Sequence, residues 1–367
     1  MKTYSLSQLS RLWMTFLIAS PLTFLLGGLF VSGRFLGWIV IPAALVLSLI
    51  LVYGAHSLGS AHPGESWEQY GAAIVGKWIH QLFILIIAMY CLSLAAICTT
   101  KYTVLMGSMY LPNTPDTLIL AICIFCILLV ARSGIRTLVF MSDGFFLLVF
   151  GASILMLPFM AVSAKMEMSR ALVTHWDSVT FLKSTLYVGA WFSEIFLTLL
   201  LFPYFPAHGK RMRYLTLAVA GSGLLLLAYW FVILFVFGPD LAAHLRFPLI
   251  EVIRLISLGD IMENLDPVAI SIWSSSLLIK GSLLLFLAAR LVSQQLQLTT
   301  HRPLTLGLAP FIFAGSYLLL QHPEILDRML LTMSTALIVL GMAMIPYLYL
   351  AIYKIRHRKP SPSSDPT

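Results

Sequence analysis

Charge is scarce in this sequence: 10% of the 367 residues are Asp, Glu, Lys or Arg, against roughly 25% in a soluble domain. Cysteine is scarcer still, with four residues, all inside apolar runs. Cys123 and Cys126 have the spacing of a metal or redox pair, but neither a histidine nor a second pair accompanies them, and thiols are at home in apolar packing. The nine histidines lie mainly in polar connections without metal-ligand spacing. No nucleophile elbow or phosphate loop is present. Ser276 and Lys280 are one residue too far apart for the Ser-x-x-Lys motif of acyl enzymes. These absences argue against an enzyme and give no reason to expect a cofactor. Polar stretches are also short, about 25 residues at most, too few for an independent core. There is no basic domain that could bind nucleic acid.

What the chain has is apolar length. Hydrophobic residues make up 59%, and the mean hydropathy is +0.93. A helix needs about 20 residues to cross roughly 30 Å of hydrocarbon. Ten runs meet that length, near 12–33, 36–55, 79–100, 113–131, 143–163, 185–205, 213–238, 267–289, 304–320 and 329–353. Backbone polar groups cannot stay unpaired in lipid, and continuous runs exclude the alternation of a barrel. The expected fold is therefore an all-α polytopic membrane domain over residues 1–355 in the lipid bilayer, with a polar, Pro-rich disordered tail at 356–367. The first run lacks a small-residue cleavage site, so it reads as a retained helix.

With the N-terminus inside, fourteen Lys and Arg and four acidic residues fall on the inner side, and eight Lys and Arg and ten acidic residues on the outer. This is the positive-inside pattern. It places both termini in the cytoplasm and accounts for the net charge of +8 without an acidic partner. Residues 56–78 form an inner connection in which 65–73 read as a short amphipathic helix.

Ten spans invite division into two inverted sets of five, approximately 12–163 and 185–353, a repeat that many secondary transporters share. In that scheme the first and sixth spans correspond, and both should be interrupted. The first contains Pro21 and Gly27-Gly28; the sixth contains Gly189, Ser193-Glu194 and Pro203. Gly permits an unwound stretch and a close ligand approach. The alternative is that these glycines only let helices pack closely.

Glu194 is the one carboxylate predicted well inside a span, and Lys280 in the eighth span is the matching cation. A charge near mid-bilayer costs at least about 2.5–3.5 kcal/mol on insertion scales, so each should face a cavity or a partner. Glu194 reads either as a ligand residue or as an interhelical hydrogen-bonding group. Lys280, which follows Ser274, Ser275 and Ser276, reads either as a substitute for a coupling cation or as a stabilising partner of Glu194. Both are candidates for ion or proton coupling. Tyr90 and Ser93 in the third span are candidates for an opposite wall, although aromatics in membrane helices more often pack.

Several segments resemble one family, the B subunits of bacterial spore germinant receptors, in the amino acid permease superfamily. The most specific is FPLIEVIRLISLGDIMENLDPVAISIW at 247–273; GKWIHQLF at 76–83, GIRTLVFMSD at 134–143, and SEIFLTLLLFPYF at 193–205 followed by GKRMR are also similar. The resemblance implies a LeuT-like fold of inverted five-helix repeats with broken first and sixth helices. It also implies a nutrient sensor for a small ligand, commonly an amino acid, acting with A and C subunits in the spore inner membrane. An acidic residue at the position of Glu194 is common in that family. Its first helix usually separates two glycines by one residue, whereas Gly27 and Gly28 are adjacent here.

In such a site, open N–H groups at a half-helix hold a carboxylate and unwound carbonyls accept an ammonium. Gly27, Gly28, Gly189 and Ser193 are the backbone candidates, with Glu194, Tyr90, Ser93 and Ser275 as side-chain candidates. Residues 246–266 read as an outer amphipathic lid: Phe247-Pro248 starts a short helix, Glu251 and Arg254 can pair, Gly259 ends it, Asp260 and Glu263 have capping spacing, and Asp266-Pro267 opens the eighth span. An autonomous proton-coupled permease is the competing reading, because one fold serves both.

Overall fold

A computed structural model describes residues 3–162, 164–174, 176–207, 209–255 and 266–356. The described chain is helical. In order the helices are α1 Leu6–Ala19, α2 Leu26–Gly33, α3 Gly37–Ala61, α4 Trp67–Val75, α5 Lys77–Met109, α6 Asp116–Ser133, α7 Ile135–Ala161, α8 Ala171–Thr174, α9 Ser178–Ser193, α10 Thr198–Leu201, α11 Arg211–His244, α12 Pro248–Arg254, α13 Asp266–Gln295, α14 Arg302–Gln321, α15 Pro323–Leu331, α16 Met333–Ala343 and α17 Ile345–Arg356.

Nine runs among the described residues are long and apolar enough to cross a membrane. The first, Leu6–Ala61, has 56 residues and would stretch about 84 Å as a straight helix, nearly three times the hydrocarbon thickness. It folds back instead. The Ser222 hydroxyl donates to the Met14 carbonyl at 3.3 Å, and a side chain at the next residue, Gly223, would strike Leu45 at 2.2 Å. Residues 14 and 45 therefore meet α11 at one level, and the turn between them lies at Arg34, whose φ is 44°. The long run contains two crossings, giving the ten expected.

Contacts sort the connections onto two faces. On one, Tyr4 N–H donates to the Tyr204 carbonyl at 3.0 Å, Arg356 reaches the Ala73 carbonyl at 3.3 Å, and Gly134, with φ 88°, sits against His301. This face carries the basic connections. On the opposite face Arg34 pairs with Asp240, Lys101 with Asp327 at 3.1 Å, and Tyr110 donates to Asp266 at 2.8 Å.

Several boundaries differ from expectation. Helix α5 runs to Met109 and α7 begins at Ile135, since nothing at either place stops a helix before Tyr110 or after Gly134. The expected last span is divided: Pro323 starts the separate helix α15, and Thr332 is extended at ψ 135° before α16. The short segment near 65–73 is helix α4, which follows extended Ser66 and buries Trp67, Glu68, Tyr70, Ile74 and Val75. Of the lid, α12 is described and holds the expected Glu251–Arg254 pair at 3.6 Å. Gly259, Asp260 and Glu263 lie outside the described residues, as does the tail after Arg356.

The sixth and eighth spans form the centre. In the run Ser178–Tyr204 and in Ala269–Gln295, 89% of the most apolar window is buried, compared with 17% in α7. Lipid-facing helices expose their large apolar side chains; these two carry the in-span charges.

Candidate ligand site

The first and sixth spans are both interrupted, in a different manner from the expected unwinding. Between α1 and α2, Pro21–Leu25 forms a π-helical turn. Pro21 supplies no N–H for the Leu17 carbonyl four residues back, so the i to i−4 ladder fails there; separately, the Ala19 carbonyl accepts a hydrogen bond from the Trp273 indole at 2.6 Å. Between α9 and α10, Glu194–Leu197 winds as a 3-10 turn. Such local changes of winding recur at functional sites. Both keep the backbone helically wound, and the glycine pair lies beyond the π turn, inside α2. Charge at the site therefore comes from side chains.

Glu194 opens the 3-10 turn, and its Oε2 is 2.7 Å from Lys280 Nζ. The residues are 3% and 1% exposed. Among the described residues, that Oε2 accepts no hydrogen bond of good geometry, so the contact is first of all one of opposite charges. Lys280 Nζ also stands 4.8 Å from the Phe16 ring centre, where the ring's negative face attracts a cation. Three spans thus meet at one ammonium. A cavity of about 70 Å³ adjoins the pair, lined also by Cys98, Tyr187, Trp191 and Leu330. Its volume exceeds the room one water needs, about 10–15 Å³, and falls well short of the roughly 300–1,000 Å³ of a typical ligand pocket.

A larger cavity of about 440 Å³ lies toward the opposite face. Gly27 and Gly28 line it, with Lys101, Arg246 and Asp327, and Tyr187 and Leu330 line both cavities. Those two side chains separate the vestibule from the ion pair.

The other expected residues are dispersed. Ser193 is fully buried beside Glu194, but its hydroxyl donates to the Ala190 carbonyl within its own helix at 2.8 Å. Gly189 packs against Leu47, which a side chain there would meet at 2.8 Å, so the packing alternative describes it. Among the described residues the buried Tyr90 hydroxyl has no hydrogen-bond partner, and its ring lies 5.9 Å from Phe196. Ser93 does not line a wall: it continues the exposed stripe of Leu82, Leu85 and Met89, because spacings of three and four residues keep all four on the outer face of α5. Ser275 bonds the Ile272 carbonyl and faces a separate side cavity of about 400 Å³ with Cys123 and Cys126.

Sequence reasoning missed a second buried pair. Arg290 Nη2 is 3.3 Å from Glu68 Oε1, Arg290 Nη1 donates to the Leu200 carbonyl at 2.7 Å, and the guanidinium lies over the Tyr204 ring at 4.7 Å. Both residues read as charges of inner connections. The available signal was Glu68 lying between Trp67 and Tyr70, in a segment too apolar to remain in water.

The family model described as spore germination protein matches residues 3–325. The chain belongs to this spore permease family. Among curated relatives, the putative spore germination protein YfkT of Bacillus subtilis (strain 168) is 28% identical over 205 residues, 55% of this chain and 56% of that protein. The match thus spans little more than half of that relative. Spore germination protein XB of Bacillus anthracis is 27% identical over 266 residues, 70% of this chain and 71% of the relative. Solved structures share the fold. Mhp1, a nucleobase-cation-symport-1 family transporter in a closed conformation with bromovinylhydantoin bound, superposes with a TM-score of 0.67 at 14% identity, covering 98% of this chain and 80% of Mhp1. A Na+-coupled sialic acid symporter in its substrate-bound outward-open state gives 0.58 at 12% identity, covering 95% and 84%. The chain is a multi-pass membrane protein of the spore germination family with a LeuT-like transporter fold.

Proposed function

We propose that this spore permease family member is the nutrient-sensing membrane subunit of a germinant receptor. In this reading it binds an amino acid or similar small nutrient beside Glu194 and Lys280 and signals to A and C partner subunits. It resides in the spore inner membrane with the basic face and both termini in the cytoplasm. The observation that carries the reading is the buried pair of opposite charges, set at the interruption of the sixth span against Phe16 of the first and approached by a vestibule. A zwitterion offers each member a replacement partner, its carboxylate for Lys280 and its ammonium for Glu194. Binding then exchanges one neutralised pair for two, so no uncompensated charge is left in the interior. A ligand shifts a conformational equilibrium only through different affinities for the two states. Tyr187 and Leu330 must move for it to arrive, so closed and open states differ at the site itself.

An autonomous proton-coupled amino acid permease is the second reading, favoured by the transporter fold of the structural neighbours. Deleting the gene and following spore germination with each amino acid, in parallel with radiolabelled uptake into vesicles, separates the two. Loss of germination with unchanged uptake is the expected result. Germination unchanged while uptake disappears would sink the sensor.

A further inference from the structure

We propose that the vestibule is itself a binding site, a first stop for a carboxylate-bearing solute, in which Lys101 is the anchoring cation and Asp327 the group that the solute displaces. This rests on the reading that a small solute reaches Glu194 and Lys280.

Size is the first argument. At about 440 Å³ the vestibule lies within the range of ligand pockets, whereas the inner cavity of about 70 Å³ does not. In this conformation the vestibule is the cavity of the two with room for a nutrient.

Charge is the second. Lys101 and Arg246 outnumber Asp327 in the lining, and Arg246 has no acidic partner among the described residues. The Lys101–Asp327 contact is 3.1 Å, but its members differ, with the lysine side chain 19% exposed and the aspartate 63%. Lys101 has lost most of its water and needs an anion beside it. Asp327, largely hydrated, leaves at little cost, as exposed partners do. A solute carboxylate can take its place.

The third argument is mechanical. Asp327 lies on α15, three residues before Leu330, which helps separate the two cavities. Helix α15 is bounded by non-helical His322, with ψ 66°, and extended Thr332, with ψ 135°, so it can move as a short rigid piece. Releasing Asp327 from Lys101 frees the helix that carries Leu330. Capture at the vestibule thereby loosens the barrier to the ion pair.

The test uses full-length protein purified in detergent and the standard L-amino acids as thermal-shift probes, with the best binder then titrated beside its carboxamide. Lys101→Gln should weaken binding of the acid by about tenfold, the equivalent of one charge-assisted hydrogen bond, and should abolish the preference for acid over amide; Lys101→Arg should restore both. Asp327→Asn should act in the opposite direction and tighten the acid several-fold, because it removes the competitor. A merely structural ion pair would move both variants the same way, and that result overturns the proposal. If Glu194→Gln abolishes binding while both vestibule variants bind as wild type, this inference fails and the ion-pair site survives. If no amino acid binds the wild-type protein, both fail.

Discussion

Removing one member of the central ion pair should cost far more than removing both. At 2.7 Å two unit charges attract by about 6 kcal/mol at an effective dielectric of about 20, and each ion gives up several kcal/mol of hydration to be there. The pair therefore contributes little net stability, but neither member can be left alone. Glu194→Gln leaves an ammonium with the Phe16 ring as its remaining cationic contact; Lys280→Met leaves the carboxylate without its cation. Each should destabilise the protein by roughly 3–5 kcal/mol, with the double variant near wild type or above it. Reversible unfolding by SDS titration in mixed micelles, arranged as a double-mutant cycle, measures the coupling directly. Singles that each lose less than about 1 kcal/mol, or a double equal to their sum, would refute the reasoning, because the site would then be wet enough to solvate an unpaired ion.

Other consequences can be checked separately. His301 is half-buried against the Phe286 ring at 4.9 Å, and burial, more than the neighbouring Arg302 and Arg290, lowers its pKa below 6.5. The folded state thus favours neutral imidazole, so its contribution to stability is complete above pH 6.5 and declines as pH falls from 6.5 toward the lowered folded value. Thermal midpoints at pH 7.5 and 5.5 should differ less in His301→Gln than in wild type. Gly27→Ala should be tolerated in stability, since the added carbon would meet Pro248 at an ordinary 3.5 Å, whereas at Gly37 it would lie 2.1 Å from the Trp230 ring and Gly37→Ala should cost about 1–3 kcal/mol. Thermal denaturation of the two variants side by side tests this contrast.

The spans were legible because lipid imposes a single length and a single solution for backbone hydrogen bonds. Glu194 and Lys280 were legible for the same reason: a charge that has no business in hydrocarbon has to be explained, and two of opposite sign explain each other. The walls were not. Ser93 and Ser275 are polar like Glu194, but a serine satisfies itself on its own helix, as Ser275 does on Ile272, so polarity within a span does not reveal direction. The glycine pair misled in another way. Gly permits an interruption without requiring one, and Pro21, which removes a donor, marks where the winding changes. Trp273 closes the segment that carries the family resemblance, and its physical role is a separate one: a buried indole needs an acceptor, and the Ala19 carbonyl supplies it.

The second buried pair bears on whether the protein senses or transports. Lys280 and Arg290 lie on one helix, ten residues and so about 15 Å apart, and each binds the sixth span, one at Glu194 and the other at the Leu200 carbonyl. Arg290 also holds α4 through Glu68. If a solute's exit through the basic face parts these groups, it costs roughly 3–5 kcal/mol for a broken buried pair. A ligand with a hundredfold preference for the altered state supplies about 2.7 kcal/mol, less than that cost. A sensor has no need to open that face; a permease must do so in every cycle and would draw the difference from a proton. In a protein whose four native cysteines are replaced, Ser293→Cys places a thiol one turn beyond Arg290 at a buried position. Its labelling by an impermeant reagent from the basic face should stay slow at saturating ligand and accelerate when Glu68→Gln is added. Fast ligand-induced labelling without that substitution would show that binding alone opens the face, and would favour transport.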